Sequence, residues 1–143
     1  MKKLLFAALA AAALMLPGHP VLADQGRVLF IYDEVNDQTE PYLAHFRGAF
    51  ADAGIPFEEA AAAELRDRDL SGYDVLVVHG IVMAFNSKSP IRDWLKTKPN
   101  LEGRRVHLLV TANRWFLRNL FRDLTGLLDK SRARTVDAVS MAT

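Results

Sequence analysis

The 143-residue sequence contains no cysteine. This absence excludes disulfide bonds, thiolate nucleophiles and iron–sulfur clusters, so the fold must be stabilised by its packed core. The four histidines are scattered, without the paired spacing of a zinc site, and we predict no bound metal. The sequence also has no Gly-x-Ser-x-Gly elbow, P-loop or Gly-x-Gly-x-x-Gly run, which leaves hydrolase, NTPase and dinucleotide-enzyme functions without support.

The chain lacks an excess of one charge, because 18 Lys and Arg residues stand against 17 Asp and Glu residues. A nearly neutral domain offers no electrostatic footprint for nucleic acid or for anionic lipid. We therefore expect no nucleic-acid partner.

The first residues are typical of a secretory signal peptide. Two lysines precede an apolar run, Leu4–Leu16, that is shorter than the roughly 20 residues needed to cross a bilayer. The small side chains at and before Ala23 predict cleavage after that residue. We expect residues 1–23 to be removed and residues 24–143 to form one domain. The mature protein is expected to be periplasmic or secreted, with no membrane attachment.

Five apolar segments predict β-strands. Most are continuous apolar runs, which are typical of strands covered on both faces. Helical segments separate them, and parallel strands need such crossover connections. At this length we predict a three-layer α/β fold with a doubly wound parallel sheet in the order 2-1-3-4-5. The predicted strands are Arg27–Tyr32, Ile55–Glu58, Asp74–His79, Val106–Val110 and Thr135–Val139.

Helical periodicity predicts four helices between these strands. Thr39 is expected to cap the first helix, and Gly54 to end it. In the longest helix we expect Trp115 to lie on the apolar stripe that faces the core. The predicted helices, in chain order, are Thr39–Gly54, Glu59–Arg68, Ser89–Leu95 and Arg114–Asp129.

No helix is predicted after the fifth strand, where a fold of this kind ordinarily has one. Part of one sheet face, beside the first helix, is then expected to lie uncovered. A large exposed apolar patch is unfavourable. We therefore expect either a shortened form of the chain or a partner at this face, with self-association as the commoner solution.

Ligands of doubly wound sheets bind at the carboxyl ends of the strands, where the winding reverses between strands one and three. Three loops are predicted to meet there: residues 33–38, 80–88 and 111–114. These loops contain the residues that we consider for function. His79, which closes the third strand, is the best single polar candidate, either as a site residue or as a satisfied structural histidine.

Motifs in this frame resemble those of the flavodoxin and flavin-reductase superfamily. Tyr73–Gly80 is similar to the third strand of that family, and Leu101–Val106 to the approach to its fourth strand. Val110–Asn113 is similar to the start of its third cofactor loop. The resemblance covers nearly the whole chain after the signal peptide. It implies a flavodoxin-like fold that binds FMN for electron transfer or reductase activity.

The resemblance also implies which residues contact the cofactor. Small residues and hydroxyl groups surround the FMN phosphate in the family, at the start of the first helix. Three carboxylates in the corresponding loop of this chain would repel a phosphate dianion, which favours loose binding. The matching positions are Thr39 and Asn36 at the phosphate, and Phe85, Asn86, Thr111 and Asn113 near the flavin ring. Trp115 stands in the first turn after the same strand, where an aromatic ring could stack on the flavin, but its place on the apolar stripe favours the core.

Two weaker resemblances and a second function stay open. The pair Asp33 and Glu34 is similar to the Mg²⁺-binding acids of receiver domains, as a weak cation site or as solvated loop charges. His79 stands where such a domain needs a phosphoacceptor aspartate, which argues against phosphotransfer. Asp137–Thr143 is similar to a motif that carries FMN covalently on its threonine. The alternative function is that of a cofactor-free flavodoxin-like domain, which binds a protein through the uncovered sheet face.

Overall fold

The computed structural model of the protein describes residues 27–37, 39–82, 88–112 and 114–142. The predicted signal peptide lies outside these residues. Strands and helices alternate along the described chain. In order they are β1 (Val28–Tyr32), α1 (Glu40–Asp52), β2 (Phe57–Ala61), a 3₁₀ turn (Ala62–Glu64), β3 (Val75–Val82), α2 (Pro90–Lys96), β4 (Arg105–Ala112), α3 (Arg114–Lys130) and β5 (Arg134–Ala142).

The five strands form one parallel sheet in the order β2-β1-β3-β4-β5, which confirms the predicted fold class and strand order. β1 lies inside the sheet, with Val28 paired to Phe57 on one side and to Val75 on the other. Residues 28–31 are all buried because both faces of β1 are covered. Burial on both faces explains why the sequence is apolar at each of these positions.

Two apolar clusters fill the space on either side of the sheet. On one side α1 packs on β1, where the ring centroids of Phe46 and Phe50 lie 5.1 and 6.5 Å from that of Phe30. On the other side α2 and α3 pack on the sheet, and Leu124 and Leu128 of α3 are completely buried. Helices on both faces make the three layers that the sequence predicts.

Two predicted helix ends are confirmed in detail. Ser89 Oγ accepts a hydrogen bond of 3.2 Å from the Arg92 N–H group and so caps α2. Gly54 follows α1 with φ of 65°, the left-handed conformation that glycine adopts at helix C-termini without strain.

The helix predicted over Glu59–Arg68 is wrong. Residues 57–61 instead form β2, and only a short 3₁₀ turn follows at residues 62–64. Alanine favours helices intrinsically, but pairing with all five residues of β1 holds these residues in the sheet. Glu59 also accepts hydrogen bonds of 2.6 and 2.9 Å from Arg47 of α1, which ties the strand to the neighbouring helix.

β3 is longer than predicted, since it continues through Gly80 and Ile81 to Val82. The prediction of a loop from Gly80 is therefore wrong for its first three residues. Gly80 pairs with Val110 of β4, and a Cβ atom at Gly80 would lie 2.7 Å from Leu124 Cδ1. The glycine therefore marks a close approach of α3 to the strand, not a chain reversal.

The α1 side of the sheet carries no covering helix over β4 and β5 among the described residues. Leu109 and Val139, which are paired across these strands, are half-buried there. No helix within the described ranges is long and apolar enough to span a bilayer.

Candidate functional site

The strand order places a crevice at the carboxyl ends of β1 and β3. The chain leaves β1 toward one edge of the sheet and leaves β3 toward the other, so the connections that follow these strands diverge between them. Residues 33–37 and 39 follow β1, Lys88 and Ser89 precede α2, and α3 begins two residues after β4 ends. These segments form the described part of the candidate site.

Asp33 ties two of these segments together. Its carboxylate accepts hydrogen bonds from the Ile81 N–H group at 2.7 Å, the Ile91 N–H group at 2.8 Å and the Ser89 hydroxyl at 3.2 Å. The side chain is buried, with 4% of its surface exposed. Burial raises the pKa of Asp33 above its usual value, and these three donors oppose that rise.

The expectation that Asp33 is a solvated loop charge is therefore wrong. Its oxygens are engaged inside the protein, where they fasten both ends of the connection between β3 and α2. Glu34, the other acid of the pair, is exposed. No group of three or more histidine and carboxylate side chains in the described part of the chain is arranged to hold a metal ion.

Asn36 and Thr39 form a reciprocal cap at the start of α1. Asn36 Oδ1 accepts the Thr39 N–H group at 3.0 Å, and Thr39 Oγ1 accepts the Asn36 N–H group at 2.9 Å. The Thr39 hydroxyl also donates to the Glu34 carbonyl at 2.8 Å. Asn36 thus takes the capping role predicted for Thr39, whose own side chain makes no cap bond within the helix.

His79 and Thr111 form a buried polar pair on adjacent strands. His79 Nε2 lies 3.0 Å from Thr111 Oγ1, and both side chains are almost inaccessible to water. The rings of Phe30, Tyr42 and Phe46 surround the imidazole at centroid distances of 5.8 to 6.4 Å. Burial lowers the pKa of His79 to about 4, so the ring is neutral at pH 7. This environment favours the structural interpretation of His79, but its Nδ1 is buried with no hydrogen-bond partner among the described residues, so the histidine is not fully satisfied.

Among the predicted cofactor contacts, the structure brings Asn36 and Thr39 together and places Thr111 apart from them, on β4. Thr111 faces His79 and is 3% exposed. Phe85, Asn86 and Asn113 lie outside the described residues, as does Thr143 of the possible covalent motif.

Trp115, in the first turn of α3, lies at the surface and not on the core-facing stripe where it was expected. Its side chain is 86% exposed, so the prediction of a core position is wrong. At 3.6 residues per turn, Trp115 precedes the buried Leu124 by roughly two and a half turns and therefore projects from the opposite side of α3. Strict helical geometry, applied from the buried leucines, would have found this.

Exposed apolar side chains concentrate at the same edge of the sheet. Val35 follows β1 and is 50% exposed, and Phe116 stands beside Trp115 and is 42% exposed. Side chains of a helix lean toward its N-terminus. Because α3 starts at the carboxyl edge, both of its first-turn aromatic residues lean toward that edge.

The loop between β1 and α1 does not fit an FMN phosphate. Its capping groups bond one another, so Thr39 offers phosphate neither its amide nor its hydroxyl without breaking the cap. Residues 33–40 contain four acidic side chains and no Lys or Arg. Of these, Glu34 and Asp37 are exposed, so an anion at this position would meet their carboxylates.

Parallel strand order, helices on both faces and the reversal of winding between β1 and β3 together define a flavodoxin-like α/β domain. The chain matches the fold of solved flavodoxins. The match with the oxidised Flavodoxin 2 from Bacillus cereus spans 81% of this chain and 85% of that chain, with a TM-score of 0.64 and 13% identity. The match with the flavodoxin from Streptococcus pneumoniae TIGR4 spans 82% of this chain and 86% of that chain, with a TM-score of 0.58 and 11% identity.

A third solved structure, a short-chain flavodoxin associated with a PDU bacterial microcompartment, is similar over 81% of this chain and 84% of that chain. Its TM-score is 0.56 at 11% identity. No protein-family profile and no curated protein matches the sequence. These comparisons establish the flavodoxin-like fold that the motifs imply.

Proposed function

We propose that this domain binds a planar ring of the flavin class at the carboxyl edge of its sheet, and holds it mainly by stacking. The observation that carries the proposal is the exposure of Trp115 in the first turn after β4. A stacked aromatic pair contributes about 0.5–1.5 kcal/mol beyond the area that it buries. Phe85, Asn86 and Asn113 stay predicted contacts of the ring, and Thr111 supports the crevice from within the sheet.

The distribution of exposed apolar residues supports this location. Single exposed apolar side chains are ordinary on protein surfaces. Of the four large ones in the described residues, Val35, Trp115 and Phe116 lie at the carboxyl edge, and only Val136 lies elsewhere, near the start of β5. A ring ligand between the loops would remove such surface from water.

Titration of the purified protein with riboflavin, followed by flavin fluorescence and visible absorbance, tests the proposal. Stacking on an indole is expected to quench the fluorescence. We expect Trp115→Ala to weaken binding roughly three- to tenfold, as the loss of a stacked pair implies. Val136→Ala, which removes an exposed apolar side chain distant from this edge, is the matched control and is expected to leave the affinity unchanged. Unaltered flavin spectra at millimolar protein would refute ring binding.

A second candidate function is protein binding without a cofactor, through the open part of the sheet beside α1. Half-buried Leu109 and Val139 on adjacent strands favour it. The occupant that we propose is a second copy of this chain, because burial of the same face on both copies would cover the apolar strip of each. Gel filtration at increasing protein concentration tests this proposal. A dimer that Leu109→Asp disrupts supports it, and a monomer at all concentrations refutes it.

We further propose that the domain acts outside the cytoplasm, after removal of residues 1–23. The charged start, the short apolar run and the small residues before Asp24 support this. Cell fractionation combined with N-terminal sequencing tests it, with an amino terminus at Asp24 as the expected result. An unprocessed cytoplasmic protein would contradict it.

A further inference from the structure

The start of α1 is built unlike an anion site, although it lies beside the candidate crevice. Helix N-termini attract anions when their first N–H groups point toward the ligand. Here the Thr39 N–H group is bonded to Asn36 Oδ1 and lies 3.0 Å from the Asn36 carbonyl oxygen, and the Glu40 N–H group donates to the same carbonyl at 2.9 Å. Oxygens of Asn36, in the loop before the helix, thus already accept the hydrogen bonds of these two N–H groups.

Acidic side chains around this cap also disfavour the binding of an anion. Glu34 and Asp37 are exposed on the loop, at either side of Asn36. The nearest arginine or lysine along the helix, Arg47, is already engaged by Glu40 and Glu59 in hydrogen-bonded ion pairs. The exposed acids Glu34 and Asp37 therefore make the loop between β1 and α1 negatively charged, whereas the exposed cations of this edge, Lys88 and Arg114, belong to the segment before α2 and to the start of α3.

We propose that the crevice selects flavins without a phosphate, and that riboflavin binds at least as tightly as FMN. This inference rests on the proposed function, since it assumes that the ring is bound. Riboflavin and FMN share the same ring and differ by the terminal phosphate. A difference in their affinities therefore reports on the phosphate environment alone.

Parallel titrations with riboflavin and FMN at low ionic strength test the selection, with fluorescence quenching and calorimetry as readouts. We expect FMN to bind about threefold or more weakly than riboflavin at about 20 mM salt. The difference should narrow at about 0.5 M salt, because exposed charges are then screened within a few ångströms.

A charge-neutralised variant identifies the cause. The double substitution Glu34→Gln and Asp37→Asn keeps the size of both side chains and removes both charges. It is expected to strengthen FMN binding about threefold or more and to leave riboflavin binding unchanged. Asp129→Asn, an exposed acid at the far end of α3, is the matched control and should change neither affinity.

Each outcome has a distinct meaning. FMN binding tighter than riboflavin would overturn the selection and leave ring binding intact. Equal tightening of both flavins by the double variant would overturn the electrostatic cause. If neither flavin binds, the proposed function fails, and this inference fails with it.

Discussion

The amide of Ile91 donates a hydrogen bond of 2.8 Å to Asp33 Oδ1, and this contact joins the end of β1 to the first turn of α2. The other oxygen of the same carboxylate accepts the Ile81 amide at 2.7 Å. Asp33 therefore closes both ends of the segment that connects β3 to α2. That segment contains two of the predicted ring contacts, Phe85 and Asn86.

Replacement of Asp33 by alanine is expected to lower the free energy of unfolding by about 3 kcal/mol. The substitution leaves the buried amides of Ile81 and Ile91 without their acceptor, and each orphaned donor costs about 1–3 kcal/mol. Urea denaturation measures the loss. Asp37→Ala, an exposed acid in the same loop, should cost less than about 1 kcal/mol. Similar losses in the two variants would mean that Asp33 is not the fastening residue.

The stability of the domain is expected to fall in acid because of His79. A histidine whose pKa drops to about 4 on folding, from 6.5, stabilises the fold fully above pH 6.5. That contribution disappears as the pH falls toward 4, because the unfolded chain binds the proton first. The loss amounts to about 3 kcal/mol.

His79→Phe separates this contribution from that of the carboxylates. Phenylalanine keeps an aromatic ring beside Phe30 and Phe46 but cannot titrate. Denaturation at pH 7 and pH 4 should show a smaller acid-induced loss in the variant, by about 3 kcal/mol. Parallel pH profiles of the two proteins would rule out a neutral buried His79.

Gly80→Ala is expected to destabilise the domain by about 1–3 kcal/mol through crowding of α3. The new methyl group would lie 2.7 Å from Leu124 Cδ1, and Leu124 is completely buried and has little room to move. In a Leu124→Ala background the same substitution should cost at least about 1 kcal/mol less, which a double-mutant cycle measures. Strict additivity of the two changes would refute the steric explanation.

Trp115 and Leu120 are expected to respond oppositely to truncation, although both belong to α3. Trp115→Ala should change the free energy of unfolding by less than about 1 kcal/mol, because the indole is 86% exposed. Leu120→Ala should cost about 2–5 kcal/mol, because it opens a cavity at a side chain that is 3% exposed. Thermal unfolding compares them. A large loss of stability in Trp115→Ala would mean that Trp115 packs in the core and would contradict its exposure.

Local patterns predicted the elements whose burial is uniform. The run at residues 28–31 is buried on both faces of the sheet, so its apolar character directly reports its place in β1. The capping signal at Ser89 is equally local, since the serine and the helix that it caps are adjacent in the chain. Such features need no knowledge of distant residues.

Prediction failed where a distant partner decides the conformation. The Ala-rich segment after Glu59 has a high helix propensity, yet pairing with β1 and the contact of Glu59 with Arg47 hold its first residues in β2. Gly80 looked like the start of a loop because the neighbouring Leu124 lies 44 positions further along the chain. Propensity is a weak prior against such tertiary contacts.

The amino-acid sequence by itself determined the class of this protein: alternating apolar strands and amphipathic helices of this length have one economical arrangement, the doubly wound parallel sheet. Only the tertiary structure decided what the polar residues at its crevice do. Asp33 is buried and accepts hydrogen bonds that join the end of β1 to α2, Asn36 and Thr39 form hydrogen bonds with one another, and Trp115 faces solvent. The physical reason is that hydrophobic patterning is written in neighbouring residues, whereas hydrogen-bond partners and burial depend on groups that only the folded chain brings together.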